Sequence, residues 1–246
     1  MMLLAFKYVV NTFFFLFPFL LAAGNDNFVW SQQRGLASGT ASIFYNGNKE
    51  LQEWHFKGKG RRRYEQGITV WASPALAIIE DVPMVFIGGC DNILYALDVG
   101  KKAVRWAKMT NGEILDAPVI GMVKGQEIIF WCSSDRFVYA HAAVSGERIW
   151  TREMIAPTRT QGPAYMASPL FHNGMLYVAF FIYDKAVSSY EQKSFLTALD
   201  AETGRLFWQK EIDKGPLSAP VGAEIDGRFV VFVAARKGIL LSLIHI

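Results

Sequence analysis

Between Ala198 and Trp208 the chain reads ALDAETGRLFW, an apolar strand end, a polar turn and a returning strand that finishes on tryptophan. An aspartate opening such a turn accepts hydrogen bonds from the backbone beyond it, and a glycine closing it can take positive φ. Two more copies stand upstream. LYALDVGKKAVRW (Leu94 to Trp106) and VYAHAAVSGERIW (Val138 to Trp150) align with LTALDAETGRLFW (Leu196 to Trp208). Asp98 and Asp200 hold the aspartate position, and Gly146 and Gly204 hold the glycine position. Lys102 replaces the glycine in the first copy, and Ala142 replaces the aspartate in the second.

A fourth tryptophan, Trp54 in LQEWHFK, extends the series, and Trp54, Trp106, Trp150 and Trp208 follow at steps of 52, 44 and 58 residues. A small residue before proline precedes each copy, at Ser73-Pro74, Ala117-Pro118 and Ser168-Pro169, and recurs at Ala219-Pro220. Between these markers, β-branched and aromatic runs such as EIIFWCSS and RFVYAHAA alternate with Gly, Asp, Asn and Ser, which reads as four short strands, A to D, per repeat. Proline is tolerated at a strand's first residue, where no ladder donor is needed. The 44-residue step is the basic unit and the other two are that unit plus insertions; a period in the forties built from four strands predicts an all-β fold, a β-propeller of four-stranded blades. Each tryptophan then serves as a structural wedge between neighbouring blades.

The stretch ALDAETGRLFW resembles the tryptophan-docking motif of the eight-bladed quinoprotein propellers, Ala-x-Asp-x-x-Thr-Gly-x-x-x-Trp, whose unit is called the PQQ-enzyme repeat. Ala198, Asp200, Thr203, Gly204 and Trp208 match all its defined positions. The resemblance covers Trp54 to Leu240 and implies that about half of an eight-bladed ring is present. It implies two alternative activities. One is a non-catalytic binding scaffold, similar to the propeller of the outer-membrane protein assembly machinery, with no cofactor expected. The other is an alcohol or sugar dehydrogenase dependent on PQQ and calcium, with the quinone on the ring axis.

At 246 residues, 52% hydrophobic and 14% aromatic, the chain has ample material for a packed core. Its net charge of +3 is too small to point to nucleic acid. Residues 1–24 read as a signal peptide: Lys7, an apolar run from Tyr8 to Leu21, then Ala22-Ala23-Gly24. That run is short of the roughly 20 residues a spanning helix needs, so the expectation is export to the periplasm or cell envelope, with no membrane span after cleavage. No cysteine follows Ala23, a departure from the lipid-anchored assembly propeller. Residues 25–50 are expected as an N-terminal extension and Leu51 to Lys57 as a ring-closing strand. Blades are expected at Ser73 to Trp106, Ala117 to Trp150 and Ser168 to Trp208, with an incomplete blade from Ala219. Residues 241–246, LSLIHI, read as translated sequencing adapter and are excluded from the expected fold.

Strands of alternating direction place the B–C and D–A loops on one face, and every length insertion falls there. The insertions carry KGKGRRRYEQG, APTRTQGPAYM and YDKAVSSYEQK. Arg61, Arg62, Arg63, Arg159 and Lys185 offer donors to an anion or acidic partner, and Tyr64, Tyr165 and Tyr190 offer aromatic contact area. The expected partner on this face is an envelope protein or a small ligand. The chain lacks His-Glu-x-x-His, Gly-x-Ser-x-Gly, a phosphate-binding glycine loop and an Asp-rich calcium loop. His55, His141 and His172 are isolated, and no adjacent Cys-Cys pair, which the quinoprotein dehydrogenases stack on the quinone, occurs. Catalytic residues and metal ligands are therefore expected to be absent from this segment.

Overall fold

The computed structural model describes residues 70–155, 161–184, 192–213, 217–235 and 240–244. The signal peptide, the N-terminal extension, the closing strand with Trp54, and Arg61, Arg62, Arg63 and Tyr64 all lie outside them, as do Arg159, Lys185 and Tyr190. Within them the chain is all β, folded into consecutive antiparallel sheets. The first sheet is β1 (Ala75–Ile79), β2 (Val82–Gly88), β3 (Ile93–Asp98) and β4 (Ala103–Met109). The second is β5 (Val119–Val123), β6 (Gln126–Cys132), β7 (Phe137–Ala142) and β8 (Arg148–Glu153). The third contains β9 (Gln161–Met166), β10 (Leu170–His172), β11 (Met175–Asp184), β12 (Gln192–Asp200) and β13 (Leu206–Asp213). The last is β14 (Val221–Ile225), β15 (Arg228–Ala234) and β16 (Leu240–Ile244). Strands pair in chain order, so each sheet is a meander of strands A, B, C and D, and the fourth has A to C.

Two local rules repeat from sheet to sheet. Strands A and B are joined by two residues that both have positive φ: Glu80-Asp81, Lys124-Gly125, Asn173-Gly174 and Asp226-Gly227. That is the type I′ turn whose twist matches a hairpin, and it explains why Glu80 and Lys124 are held left-handed. Between strands C and D the register slips by a residue, next to Ala96 opposite Trp106, Ala140 opposite Trp150 and Ala198 opposite Trp208. The bulge adds twist beside each tryptophan.

Alternation along the strands gives the sheets apolar faces that close on neighbouring sheets. Phe86, Met84, Leu94 and Trp106 of the first sheet pack with Ile129, Trp131 and Tyr139 of the second. Phe130, Val138 and Trp150 pack with Leu176, Val178 and Phe180 of the third. Tyr177, Ala179 and Leu196 pack with Val231 and Val233 of the fourth.

Two features differ from the sequence-based expectation. The inserts around the third blade are not loops throughout. Strand B runs on to Asp184, and Gln161–Met166 pairs with that extension, Met166 opposite Phe180 and Ala164 opposite Ile182. Strand A of this blade is thus two pieces, β9 and β10, on the same edge of β11, interrupted at Pro169. The second difference is at β16, where residues excluded as adapter pair with β15, Leu241 opposite Val233 and Leu243 opposite Val231. Backbone ladders need only an apolar, extended segment beside an open strand edge, and LLSLI supplies one.

Candidate functional site

The repeated cassette builds the seams between blades. Trp106 Nε1 donates to Ala143 O at 2.9 Å, and Trp150 Nε1 donates to Ala201 O at 2.9 Å. Both carbonyls belong to the C–D turn of the next blade. The glycines of those turns lie flat against the indoles: a Cβ on Gly146 would stand 2.7 Å from Trp106 Cδ2, and one on Gly204 2.8 Å from Trp150 Cδ2. Both glycines have φ of +70°, so their lack of a side chain serves backbone conformation and docking together. Asp200 accepts from Thr203 N at 2.8 Å and from the Thr203 hydroxyl at 2.7 Å. That hydroxyl bond holds the Asp200 carboxyl below the usual carboxylate range. Asp98 accepts from Lys101 N at 2.8 Å. Where Ala142 replaces the aspartate the turn still closes, Gly146 N bonding Ala142 O at 2.8 Å. Trp208 packs with Val231 and Val233 in the third seam.

Lys102, in the glycine position of the first turn, is held at φ +52°. A non-glycine residue there is strained by about 1 kcal/mol. Lys102→Gly is expected to leave the denaturation midpoint unchanged or to raise it by the equivalent of about 1 kcal/mol, measured by urea unfolding.

The opposite, B–C and D–A, end of the seams is tied by side chains that the sequence reading did not single out. In the turn before β3, Asp91 accepts from Ile93 N at 3.2 Å and from the Tyr95 hydroxyl at 2.6 Å. In the turn before β7, Asp135 accepts from Phe137 N at 3.0 Å and from the Tyr139 hydroxyl at 2.6 Å, and also from Asn111 N at 2.9 Å. Asn111 belongs to the linker that leaves the first blade. The same linker is held by Thr110 and Ser133, whose hydroxyls donate to Gly112 O at 2.7 and 3.0 Å. Burial first, then the bond to Asp135, push the Tyr139 phenol well above its ordinary range. Ser168 of the third proline marker accepts from Ala117 N at 3.0 Å and donates to Asp116 at 3.3 Å, joining the strand-A starts of adjacent blades.

On this rigid base the B–C and D–A face is decorated as follows. Tyr165 sits on β9, 45% exposed, its ring stacked on Phe181 with centroids 5.0 Å apart. Met109 at the end of β4 is 74% exposed and Trp71 before β1 is 69% exposed, the two most exposed large apolar side chains among the described residues. Ile155, where the chain leaves the second blade, is also exposed. The structure therefore brings β9 beside the extended β11–β12 hairpin, the positions of two separate inserts, on one face. The other face is closed by exposed ion pairs such as Lys124 with Glu202 at 2.7 Å, a kind that contributes little in water.

One free cysteine and one of the isolated histidines sit in the seams. Cys132 is buried in the second seam, and burial pushes its thiol well above its ordinary range. His172 Nε2 lies 3.3 Å from Glu224 and its ring stacks on Phe229, between the third and fourth sheets. Among the described residues no three His, Cys, Asp or Glu side chains gather to hold a metal ion. Among the described residues, too, no helix is long and apolar enough to cross a membrane.

Four-stranded meanders docked indole on glycine define a β-propeller of the PQQ-repeat class. A family model described as outer membrane protein assembly factor BamB matches residues 64–241, and the chain belongs to that family. No curated protein matches the sequence. Among solved structures, the propeller domain of Cps50 (Swd1) from Myceliophteria thermophila shares the fold at 11% identity and a TM-score of 0.52, over 84% of this chain and 66% of that one. BamB from Moraxella catarrhalis is 14% identical over 90% of this chain and 86% of that one, with a TM-score of 0.31. The quinohemoprotein alcohol dehydrogenase ADHIIG from Pseudomonas putida HK5 is 16% identical with a TM-score of 0.47 over 69% of this chain, which spans 32% of that enzyme's length.

Proposed function

We propose that this chain is an exported, non-catalytic propeller that serves as a protein-binding platform in the cell envelope, with the B–C and D–A face as the binding surface. One observation carries the reading: among the described residues the most exposed large apolar side chains, Met109 and Trp71, stand on the same face as Ile155, Tyr165 and the β9 pairing with β11. Exposed apolar and aromatic groups on a rigid scaffold are the anchors around which protein interfaces form. The basic residues of the inserts, Arg61, Arg62, Arg63, Arg159 and Lys185, favour an acidic rim on the partner. Membership of the assembly-factor family supports an envelope location and a partner that is a protein.

The test places a photo-crosslinking amino acid at Trp71 or Ile155 in the full-length gene product, with Lys124 and Glu202 as controls on the other face. The expected result is one discrete protein adduct from Trp71 and Ile155 and none from the controls. Trp71→Ala is expected to weaken binding of the protein so identified by about tenfold or more, equivalent to about 1.4 kcal/mol. Adducts from the control positions alone would move the binding surface to the opposite face. Reduction of a dye by the full-length protein with alcohols, dependent on added PQQ and Ca²⁺, would replace the platform by the dehydrogenase.

A further inference from the structure

We propose that the seam between the first and second blades is an acid-opened joint whose trigger is the imidazole of His141. The ring projects from β7 into the cluster that joins the two blades, and it is 5% exposed. It lies against Trp131, ring centroids 4.6 Å apart, with Tyr139 at 6.4 Å. Its Nδ1 and the neighbouring Trp131 Nε1 have no hydrogen-bond partner among the described residues. A neutral imidazole tolerates such a site, since it carries no charge to be solvated. An imidazolium needs a donor path to an acceptor at each nitrogen, and here one nitrogen has none.

The charged groups around the ring act in the same sense. Lys108, from β4 of the first blade, and Arg148, beside His141 on β8, are its electrostatic neighbours, and both are cations. Of the carboxylates at this seam, Glu80 and Asp135 have other partners, and Glu127 is not among the groups that act on the imidazole. Glu127 on β6 is raised by burial and by Glu80 of the first blade, and Glu80 lies 3.3 Å from Arg105. Asp135 is bound to the Tyr139 hydroxyl. A proton on His141 would thus add a positive charge close to Lys108 and Arg148, on a ring that is buried and whose Nδ1 has no acceptor among the described residues. Separation of the blades, which admits water, relieves it.

Burial foremost, with both cations adding, lowers the imidazole from its usual 6.5 to about 4. A depressed base binds fewer protons in the closed state than in the open one. Closure is therefore fully supported above about pH 6.5, and that support is lost as pH falls toward 4. Between pH 7 and pH 5 the open population of this seam should rise about twentyfold by linkage between those two values.

Amide hydrogen exchange of the whole chain, corrected for intrinsic rates, reads this directly. The expected result is a rise of about twentyfold in opening for β6 and β7 amides between pH 7 and pH 5, with β11 and β12 amides of the third blade unchanged. In His141→Phe and His141→Gln the rise should disappear. A rise of equal size in every blade, or one that persists in either variant, would overturn the proposal. So would a titration midpoint for His141 near 6.5 by NMR of the unmodified protein, a measurement that does not depend on the variants folding.

Discussion

Trp150→Ala is expected to destabilise the chain by about 3–5 kcal/mol, the range for removing a large buried aromatic, and to open the seam between the second and third blades. The indole is buried in the cluster shared with Leu176, Val178 and Phe180, and its loss also strips Ala201 O of its 2.9 Å donor. The more specific expectation concerns the partner glycine. A methyl on Gly204 meets the indole at 2.8 Å and sits on a backbone with φ of +70°. Gly204→Ala should therefore cost about 2–4 kcal/mol in the native background, strain and collision together. With Trp150 already removed the collision is gone, and only about 1–2 kcal/mol of backbone strain remains. Urea midpoints of the two single variants and the double variant give the coupling, expected at about 1–3 kcal/mol. Additive effects would show that the glycine serves the turn alone and that docking contributes nothing.

The same cassette shows how far the sequence could be read. The Ala-x-Asp-x-x-Thr-Gly-x-x-x-Trp spacing fixes a C–D hairpin because each residue type answers to a local constraint: a carboxylate for turn amides, a glycine for positive φ, an indole at the strand end. Local constraints repeat, so the blades were legible. The A–B turns were less so, because Glu80 and Lys124 are not residues that favour positive φ; the twist of the paired strands imposes it on them. Gln161–Met166 contains Gly162 and Pro163 and reads as a breaker, yet forms β9 because the long β11 offers it an edge, an effect of tertiary partners that no local signal carries. The Asp91-to-Tyr95 and Asp135-to-Tyr139 spacings were visible, but the third blade carries Thr197 in the tyrosine position, its hydroxyl 3.2 Å from Gln209 Oε1. The pattern was broken where the insert begins. His141 looked like any isolated histidine, since its character comes first from burial in the folded seam and then from Lys108 across it and Arg148 beside it.

Asp135→Ala is expected to loosen the first seam at the end opposite the docked tryptophan, at a cost of about 2–4 kcal/mol. One carboxylate holds three donors there: Phe137 N, which fixes the start of β7; the Tyr139 hydroxyl, which orients the ring beside Trp131; and Asn111 N, which comes from the first blade. Removing it leaves a phenol and two amides in search of acceptors, and the linker amide can find water only by moving away from the second blade. Asp135→Asn keeps an oxygen for one amide and should cost about half as much, which separates loss of acceptors from loss of side-chain volume. The phenol supplies an independent reading. Its pKa lies above its ordinary value of about 10 chiefly through burial and secondly through Asp135. Above pH 10 the folded state keeps a proton that the unfolded state gives up, so stability falls as pH rises, and the fall should end at a lower pH in Asp135→Asn. Tyrosinate absorbance followed against pH, with Tyr139→Phe to assign the signal, measures both. A Tyr139 titration unmoved by Asp135→Asn would mean that burial alone sets it, and that the aspartate acts on the seam only through the backbone amides of Phe137 and Asn111.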